Sequence, residues 1–239
     1  MSFKYRFNPE KLAKLIEISN LNTPQSWVGI APSGWVGFIN KHVQNLDVNM
    51  HRFSKTPLDR QALYAMAAET EVSDLEFALN VLSWGGMRRD HGVRLFKTVE
   101  QWIHVIGQIR SGRFTREIAY EEFQRLRIEG SLSGMGPAFF TKLIFFGLPA
   151  HDGYILDQWT GRSINFLLDK QLVELHRSKT GHRVSDSNDS LIYSNFCTVI
   201  EELTALLPTI DDPRYTEELL FSWGGRKKGP WRSYLLELS

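Results

Sequence analysis

Lys142 is the residue of this chain whose surroundings most strongly suggest chemistry. It is the only charged residue in the apolar segment PAFFTKLIFFGL, which begins at Pro137. A charged ammonium that faces a protein core is costly, so the side chain must reach solvent, pair with an acid or line a cleft. In a cleft, the loss of hydration favours the neutral amine, which is a nucleophile. Lys142 is therefore the candidate catalytic nucleophile.

Asp157 follows fifteen residues after Lys142 and opens the amphipathic segment DQWTGRSINFLL. The plain interpretation is a helix N-cap, because an aspartate oxygen readily accepts hydrogen bonds from the first free N–H groups of a helix. A capping carboxylate held near Lys142 has a second use, since it can take up the proton of the amine or stabilise a cationic sugar. Asp157 is therefore the candidate catalytic partner of Lys142.

A glycine-rich turn, LSGMGP, precedes the lysine-bearing segment. Gly134 and Gly136 permit backbone angles that other residues avoid, and Pro137 suits the first turn of a helix. Such a turn directs successive N–H groups outward at a helix N-terminus, where they attract an anion. The anion-binding interpretation assigns a phosphate to the backbone of Gly134, Met135 and Gly136. The alternative is an ordinary tight turn between two helices.

Residues 130–159 resemble the helix-hairpin-helix DNA glycosylase superfamily, and most closely its 8-oxoguanine DNA glycosylase branch. That family carries an L-x-G-x-G turn after a helix, then a helix with the catalytic lysine, then an aspartate that opens the next helix. Leu132, Gly134, Gly136 and Asp157 match this pattern without gaps. The rest of the chain agrees only in its size and helical character.

The position of the lysine departs from the family pattern. The family's lysine falls on Ala138 in this chain, and Lys142 lies four residues later. Because residues i and i+4 share one face of a helix, we expect Lys142 to be a relocated nucleophile. The alternative is loss of the lyase function, which leaves a monofunctional glycosylase or a protein that only binds DNA.

The resemblance implies an all-α fold with two helical lobes around a cleft. On this resemblance, we expect residues 1–239 to form a single glycosylase-like domain, with the helix-hairpin-helix motif at about 115–146. The implied monomer removes an oxidised purine, 8-oxoguanine, from double-stranded DNA, and its lysine then cuts the strand by β-elimination through a Schiff base. This chemistry needs no cofactor and no catalytic metal, although the family allows a structural cation at the hairpin carbonyls.

Enzymes of this kind extrude the damaged nucleotide and hold its base against aromatic side chains. The candidates for the base pocket or for stacking are Trp84, Trp159, Phe221 and Trp223. Trp84 and Trp223 belong to two similar segments, FALNVLSWGG and EELLFSWGG, each followed by basic residues. The alternative explanation of this similarity is structural: each segment is a helix that ends at a glycine C-cap with its tryptophan packed beneath.

The charge of the chain is small in total and uneven along its length. The net charge is +1, but residues 85–127 hold nine Lys/Arg against five Asp/Glu, and residues 224–232 hold four with no acid. A near-neutral total can therefore hide one basic face. The single cysteine, Cys197, excludes an internal disulfide and a cysteine-ligated cluster within one chain. No segment resembles a signal peptide or a membrane span, so we expect an intracellular protein, cytoplasmic or nucleoid-associated.

Most segments show a helical period of apolar residues. One short strand is predicted at HGVRLF (91–96), and a mobile polar loop is predicted at 177–190. Two other functions stay open on the sequence alone: a non-catalytic helix-hairpin-helix module that binds DNA, and a helical interaction protein with no DNA role. The combination of Lys142 with Asp157 favours the enzyme, because a binding module needs the hairpin alone.

Overall fold

The computed structural model describes residues 3–21, 27, 29–44, 46, 48–178, 181–224 and 227–238, and the side chains at 178, 223 and 227 lie outside that description. The described chain is predominantly helical, as predicted for the all-α class. It forms two compact units. We call them the central unit (Val28–Gly153) and the terminal unit (Met1–Trp27 with Tyr154–Ser239).

The described part of the central unit contains seven α-helices and a short 3-10 helix at Met50–Arg52. The α-helices are α2 (Pro32–His42), α3 (Arg60–Ala68), α4 (Asp74–Trp84), α5 (Arg89–Phe96), α6 (Val99–Arg110), α7 (Arg116–Ile128) and α8 (Pro137–Gly147). Nine of the eleven residues of α8 are buried, and α3, α4, α6 and α7 pack around it. A helix that is apolar on all sides is stable only inside a core, so α8 is the centre of this unit.

Local signals in the sequence start several of these helices. Ser73 caps α4 in a capping box, in which its hydroxyl accepts from the Glu76 N–H and the Glu76 carboxylate accepts from the Ser73 N–H. Thr115 caps α7 through the N–H of Ile118, and Pro137 occupies the first turn of α8. These caps satisfy N–H groups that a helix cannot pair internally, so they set where each helix begins.

The terminal unit combines five helices with two small antiparallel hairpins among its described residues. They are α1 (Pro9–Ser19), α9 (Gln158–Leu168), β1 (Leu175–Ser178), β2 (Gly181–Val184), α10 (Ser190–Thr204), α11 (Pro213–Phe221), β3 (Trp223–Gly224), β4 (Lys227–Lys228) and α12 (Pro230–Leu238). Ser163 on α9 joins three helices, because its hydroxyl accepts from the Trp231 indole at 2.9 Å and donates to the Leu220 carbonyl at 3.0 Å. This buried network holds α11 and α12 against α9.

The strand predicted at 91–96 is wrong, because these residues lie in α5. The buried positions of α5 are Gly92, Leu95 and Phe96, which is the three-to-four spacing of a helix face rather than the alternation of a strand. Gly92 lies so close to α2 that a Cβ atom there would come within 2.6 Å of the Trp35 ring. Tertiary packing of a glycine face therefore decides the structure of this short segment.

The polar loop predicted at 177–190 is also wrong over its first half. Strands β1 and β2 pair antiparallel from Leu175↔Val184 to Ser178↔Gly181, and Gly181 has the left-handed φ of +137°. Leu175 packs over Gly161 of α9, and Val184 is buried. The two apolar residues at the base of the hairpin attach it to α9, and its polar remainder explains the loop-like composition of the segment.

Candidate active site

The turn between α7 and α8 has the geometry that its glycines predict. Gly134 has φ +94°, and Gly136 is the N-cap of α8. A Cβ atom on Gly134 would lie 2.7 Å from the carbonyl oxygen of His91, so the turn rests directly on the backbone of α5. The side chains of Leu132 and Met135 are buried and anchor the turn in the core of the central unit.

The backbone donors of this turn are available to an anion. The N–H groups of Gly134, Gly136 and Ala138 have no hydrogen-bond acceptor within the described ranges, whereas the Met135 N–H bonds to the Leu132 carbonyl at 3.0 Å. Unpaired N–H groups at a helix N-terminus add to the positive end of the helix dipole. The turn can therefore bind a phosphate through its backbone.

The carbonyls of the same turn already have a cationic partner. Arg127 donates from Nη1 to the Met135 carbonyl at 2.9 Å and to the Leu132 carbonyl at 3.5 Å. A monovalent cation at these oxygens would meet the guanidinium charge at close range. The carbonyl oxygens of Leu132 and Met135 therefore suit a bound cation poorly.

Lys142 turns back along α8 toward the glycine turn. Its side chain is buried, with the residue 9% exposed, and its Nζ donates to the carbonyl oxygen of Ala138. The same Nζ lies 5.3 Å from the centre of the Phe139 ring. Helical side chains point toward the N-terminus of their helix, which is why an amine attached at position 142 reaches the level of position 138.

Gly85, at the end of α4, forms the surface against which the Lys142 stem lies. A Cβ atom at Gly85 would come within 2.8 Å of Lys142 Cδ and 3.2 Å of Cε. Gly85 itself has ordinary right-handed helical angles, so its lack of a side chain is needed for space and not for backbone conformation. The lysine therefore occupies a groove that Gly85 leaves open.

Asp157 belongs to the terminal unit, where it caps α9. Its Oδ1 accepts from the N–H groups of Trp159 at 2.7 Å and Thr160 at 3.0 Å, and the Thr160 hydroxyl in turn accepts from the Asp157 N–H. Its Oδ2 has no hydrogen-bond partner in the part of the chain that the structure describes. Asp157 thus uses one carboxylate oxygen to cap the helix, and its other oxygen accepts no hydrogen bond from the described residues.

Two aromatic candidates, Trp159 and Phe221, lie beside a buried arginine in the same unit. The Arg232 guanidinium carbon is 4.1 Å from the Trp159 ring centre and 4.8 Å from that of Phe221, and its Nε donates to the Phe221 carbonyl at 3.1 Å. The pKa of Arg232 is lowered to about 10, chiefly by burial, while the charge of Asp157 acts to raise it and that of Arg162 to lower it. Arg232 stays charged at neutral pH and provides a positive charge near Asp157.

The other two aromatic candidates differ in their surroundings. Trp84 is 2% exposed and meets the Phe146 ring edge-on, with ring centres 4.9 Å apart, and the Arg60 guanidinium lies 5.6 Å from its ring centre. This burial favours a packing role in the central unit. The side chain of Trp223 lies outside the described residues, and its backbone forms β3.

Three residues that contact candidate site residues within their own unit were not singled out by the sequence: Gly85, Arg127 and Arg232. Gly85 lies in the SWGG similarity, and Arg232 ends a basic segment, so each carried a weak signal. Arg127 resembles any other arginine of the basic stretch before the turn. Gly85 and Arg232 contact residues that are remote in the sequence, and Arg127 contacts the turn that follows its helix. The periodicity of apolar residues does not reveal such contacts.

The described residues contain no group of three or more His, Cys, Asp or Glu side chains arranged to hold a metal ion. Among the same residues, no helix combines the length and the apolar character needed to cross a bilayer.

Comparison with known proteins gives one positive result. A family model described as "Putative 8-oxoguanine DNA glycosylase OGG-like protein" matches residues 22–221, which is most of the chain. No curated protein matches the chain, and no solved structure does. The family match spans both the glycine turn with Lys142 and the segment of Asp157.

Proposed function

The chain belongs to this OGG-like family, and on that premise we propose that it is a DNA glycosylase with lyase activity. Its substrate is double-stranded DNA that contains an oxidised purine, 8-oxoguanine. It releases the base and then cuts the strand through a Schiff base on Lys142. The alternative, a helix-hairpin-helix protein that binds DNA without catalysis, needs the glycine turn and makes no use of a buried amine.

The observation that carries this proposal is the position of the Lys142 amine. The amine is buried and bonded to the Ala138 carbonyl, one turn from the end of α8 at which the free N–H groups of Gly134 and Gly136 lie. Desolvation makes an ammonium easier to deprotonate, and an uncharged amine is the nucleophile that Schiff-base chemistry needs. A phosphate on the turn would hold the sugar of a nucleotide within the same region.

The reaction follows in two stages. The neutral amine of Lys142 attacks C1′ of the damaged nucleotide, a C–N bond forms, and the bond from C1′ to the base breaks with its electron pair leaving on the base. The base takes up a proton as it departs. The sugar ring then opens to a protonated Schiff base, loss of a C2′ proton follows, and the C3′–O bond breaks, so that the strand on the 3′ side leaves with a 5′ phosphate. Water finally hydrolyses the Schiff base and frees Lys142.

Asp157 supplies the acid–base and electrostatic part of this proposal. Its capped Oδ1 fixes the orientation of the carboxylate, and its Oδ2 is left for the reaction. The carboxylate accepts the proton that the Lys142 ammonium must lose and offsets the positive charge on the sugar. Trp159, two residues after Asp157, and Phe221, which contacts the same Arg232 guanidinium as Trp159, are the aromatic surfaces proposed for the extruded base.

Borohydride trapping on a duplex with one 8-oxoguanine tests the proposal, because reduction of the Schiff base fixes the protein on the DNA. We expect the native protein to be trapped and Lys142→Gln not to be trapped. Lys14→Gln is the matched control, since Lys14 is a surface lysine whose acidic partner among the described residues is Glu17 on its own helix. Trapping of Lys142→Gln at the native rate would refute the assignment of Lys142, and release of the base by the native protein with no trapped product would leave a monofunctional glycosylase.

A further inference from the structure

The hairpin β1–β2 presents one of its two faces to α9. Because directly paired residues of an antiparallel hairpin share a face, Arg177 and His182 lie on the same side as Leu175 and Val184. Leu175 packs against Gly161 on α9, so this is the face toward the helix. His176 and Arg183 form the next pair and point to the opposite side.

The first turns of α9 bring Arg162 to the same place. The Gln158 side chain, at the start of α9, accepts from the backbone N–H of His182 at 3.0 Å, which fixes the hairpin against this end of the helix. Arg162 lies one turn after Gln158, on the same face of α9. Its guanidinium carbon is 5.1 Å from the Trp159 ring centre, so an aromatic contact holds the side chain in position.

The charges of both arginines act on His182. Burial lowers the pKa of His182 first of all, and the positive charges of Arg162 and Arg177 lower it further. The His182 Nδ1 is buried and has no hydrogen-bond partner within the described residues. Arg177 makes no ion pair with any described residue, and the nearby Glu174 faces His176 at 3.7 Å and accepts from the Ser187 hydroxyl at 2.6 Å.

We propose that Arg162, Arg177 and His182 form a binding site for a phosphodiester of the DNA substrate. This inference rests on the proposed function and assigns to the hairpin a contact with the damaged strand. Arg177 and His182 share one face of the hairpin, and neither the Arg177 guanidinium nor the His182 Nδ1 has a partner among the described residues. An external anion can therefore balance the positive charge on this face. Guanidinium groups bind phosphate oxygens through paired N–H donors, which makes a phosphate the anion that this set fits.

The test compares two arginines of one hairpin. Arg177→Gln removes a proposed phosphate contact, and Arg183→Gln is the matched control, because Arg183 is also exposed but lies on the other face. The affinity for a duplex with 8-oxoguanine is measured over a range of salt concentrations. Loss of one contact should lower the slope of log affinity against log salt by about 0.9, which corresponds to about eightfold weaker binding at about 0.1 M salt. Arg183→Gln should bind within about twofold of the native protein.

Each result separates this inference from the function on which it rests. A native protein without salt-dependent DNA binding would contradict the proposed function itself. A native protein that binds DNA, with the same slope as Arg177→Gln, would overturn the phosphate site alone, and so would equal losses in the two variants. Calorimetric titration with inorganic phosphate distinguishes the source of the anion. Phosphate binding that Arg177→Gln abolishes, with DNA binding unchanged, would assign the cluster to a small anion instead of DNA.

Discussion

The side-chain amine of Lys142 donates a hydrogen bond to the carbonyl oxygen of Ala138, one helical turn nearer the N-terminus of α8. The amine is therefore attached at one position of this helix face and lies at the level of another. In the resemblance described above, the catalytic lysine of the family falls on Ala138, so the proposed nucleophile is carried one turn later. The direction of helical side chains would account for such a relocation with no change of backbone.

Gly85→Ala tests whether the groove around Lys142 matters for catalysis. The new methyl group would meet Lys142 Cδ at 2.8 Å and push the stem aside, while the helical angles of Gly85 accept alanine without strain. We expect base release and borohydride trapping to slow about tenfold or more, equivalent to about 1.4 kcal/mol in the barrier. The melting temperature should change little, because the entropy gained from replacing glycine offsets part of the crowding.

Gly34→Ala is the matched control for that variant, since a Cβ atom on this exposed helical glycine meets nothing within 4 Å. It should leave base release and trapping unchanged. Equal activity of Gly85→Ala and Gly34→Ala would mean that the position of the Lys142 stem does not limit the reaction.

Asp157→Asn separates the capping role of this residue from its charge. Asparagine is as good an N-cap as aspartate, so α9 should keep its cap while the site loses a negative charge. We expect base release to slow about 100-fold, within the range for a lost acid–base group, and DNA affinity to stay within about threefold. Single-turnover base release and equilibrium binding to the same duplex are the measurements.

Asp189→Asn provides the comparison, because Asp189 caps α10 in the same unit through the N–H of Ile192 at 2.8 Å. It should behave like the native protein in both measurements. If Asp157→Asn lost activity and DNA affinity in equal proportion, its role would be reduced to holding α9 in place.

The hairpin carbonyls give a prediction about cations. Because Arg127 already donates to Leu132 and Met135, replacing potassium by a large organic cation at constant ionic strength should change DNA affinity less than about twofold. A large loss of DNA affinity by the native protein without potassium would show that a cation, and not Arg127 alone, is needed at these carbonyls.

The contacts of Arg127 with these carbonyls should also contribute to the stability of the protein. Arg127→Met leaves them without that donor and should reduce the free energy of unfolding by about 1–3 kcal/mol, measured by denaturant titration. Arg125→Met, at an exposed arginine paired with Glu122 and Glu129, is the control and should cost less than about 1 kcal/mol. Equal costs in the two variants would mean that the contacts of Arg127 with the turn add nothing to stability.

The sequence predicted those features whose causes are local. The first-turn proline of α8 and the cap at Asp157 each depend on residues within one helical turn, and each has the predicted geometry. The glycine turn before α8 belongs to the same group, since Gly134 has the left-handed angle that only glycine adopts at low cost.

The sequence failed where distant residues decide the structure. Segment 91–96 is helical because Gly92 packs on Trp35, and the hairpin β1–β2 exists because Leu175 packs on Gly161. In the candidate site, Arg232 lies beside Trp159 although the two are far apart in the chain. No periodicity within a short window encodes such contacts, so they become visible only in the folded molecule.

The relocated amine can be tested by moving it back. Lys142→Met removes the amine but keeps an unbranched apolar side chain against Gly85, so α8 should remain packed, and trapping should fall below detection. Adding Ala138→Lys to that variant places an amine at the position used by the related enzymes, where the native residue is half-buried at the edge of the glycine turn. We expect the double variant to recover trapping to within about tenfold to 100-fold of the native rate, because position 138 is where the resemblance places the lysine of the family.

Ala138→Lys with Lys142 retained is the control for this exchange. It should be slower than the native protein, since a long side chain at position 138 crowds the place at which the Lys142 amine lies. A double variant that stays inactive while its melting temperature matches the native value would show that an amine must approach the sugar from position 142. The direction of the Lys142 side chain along α8 would then not account for the relocation.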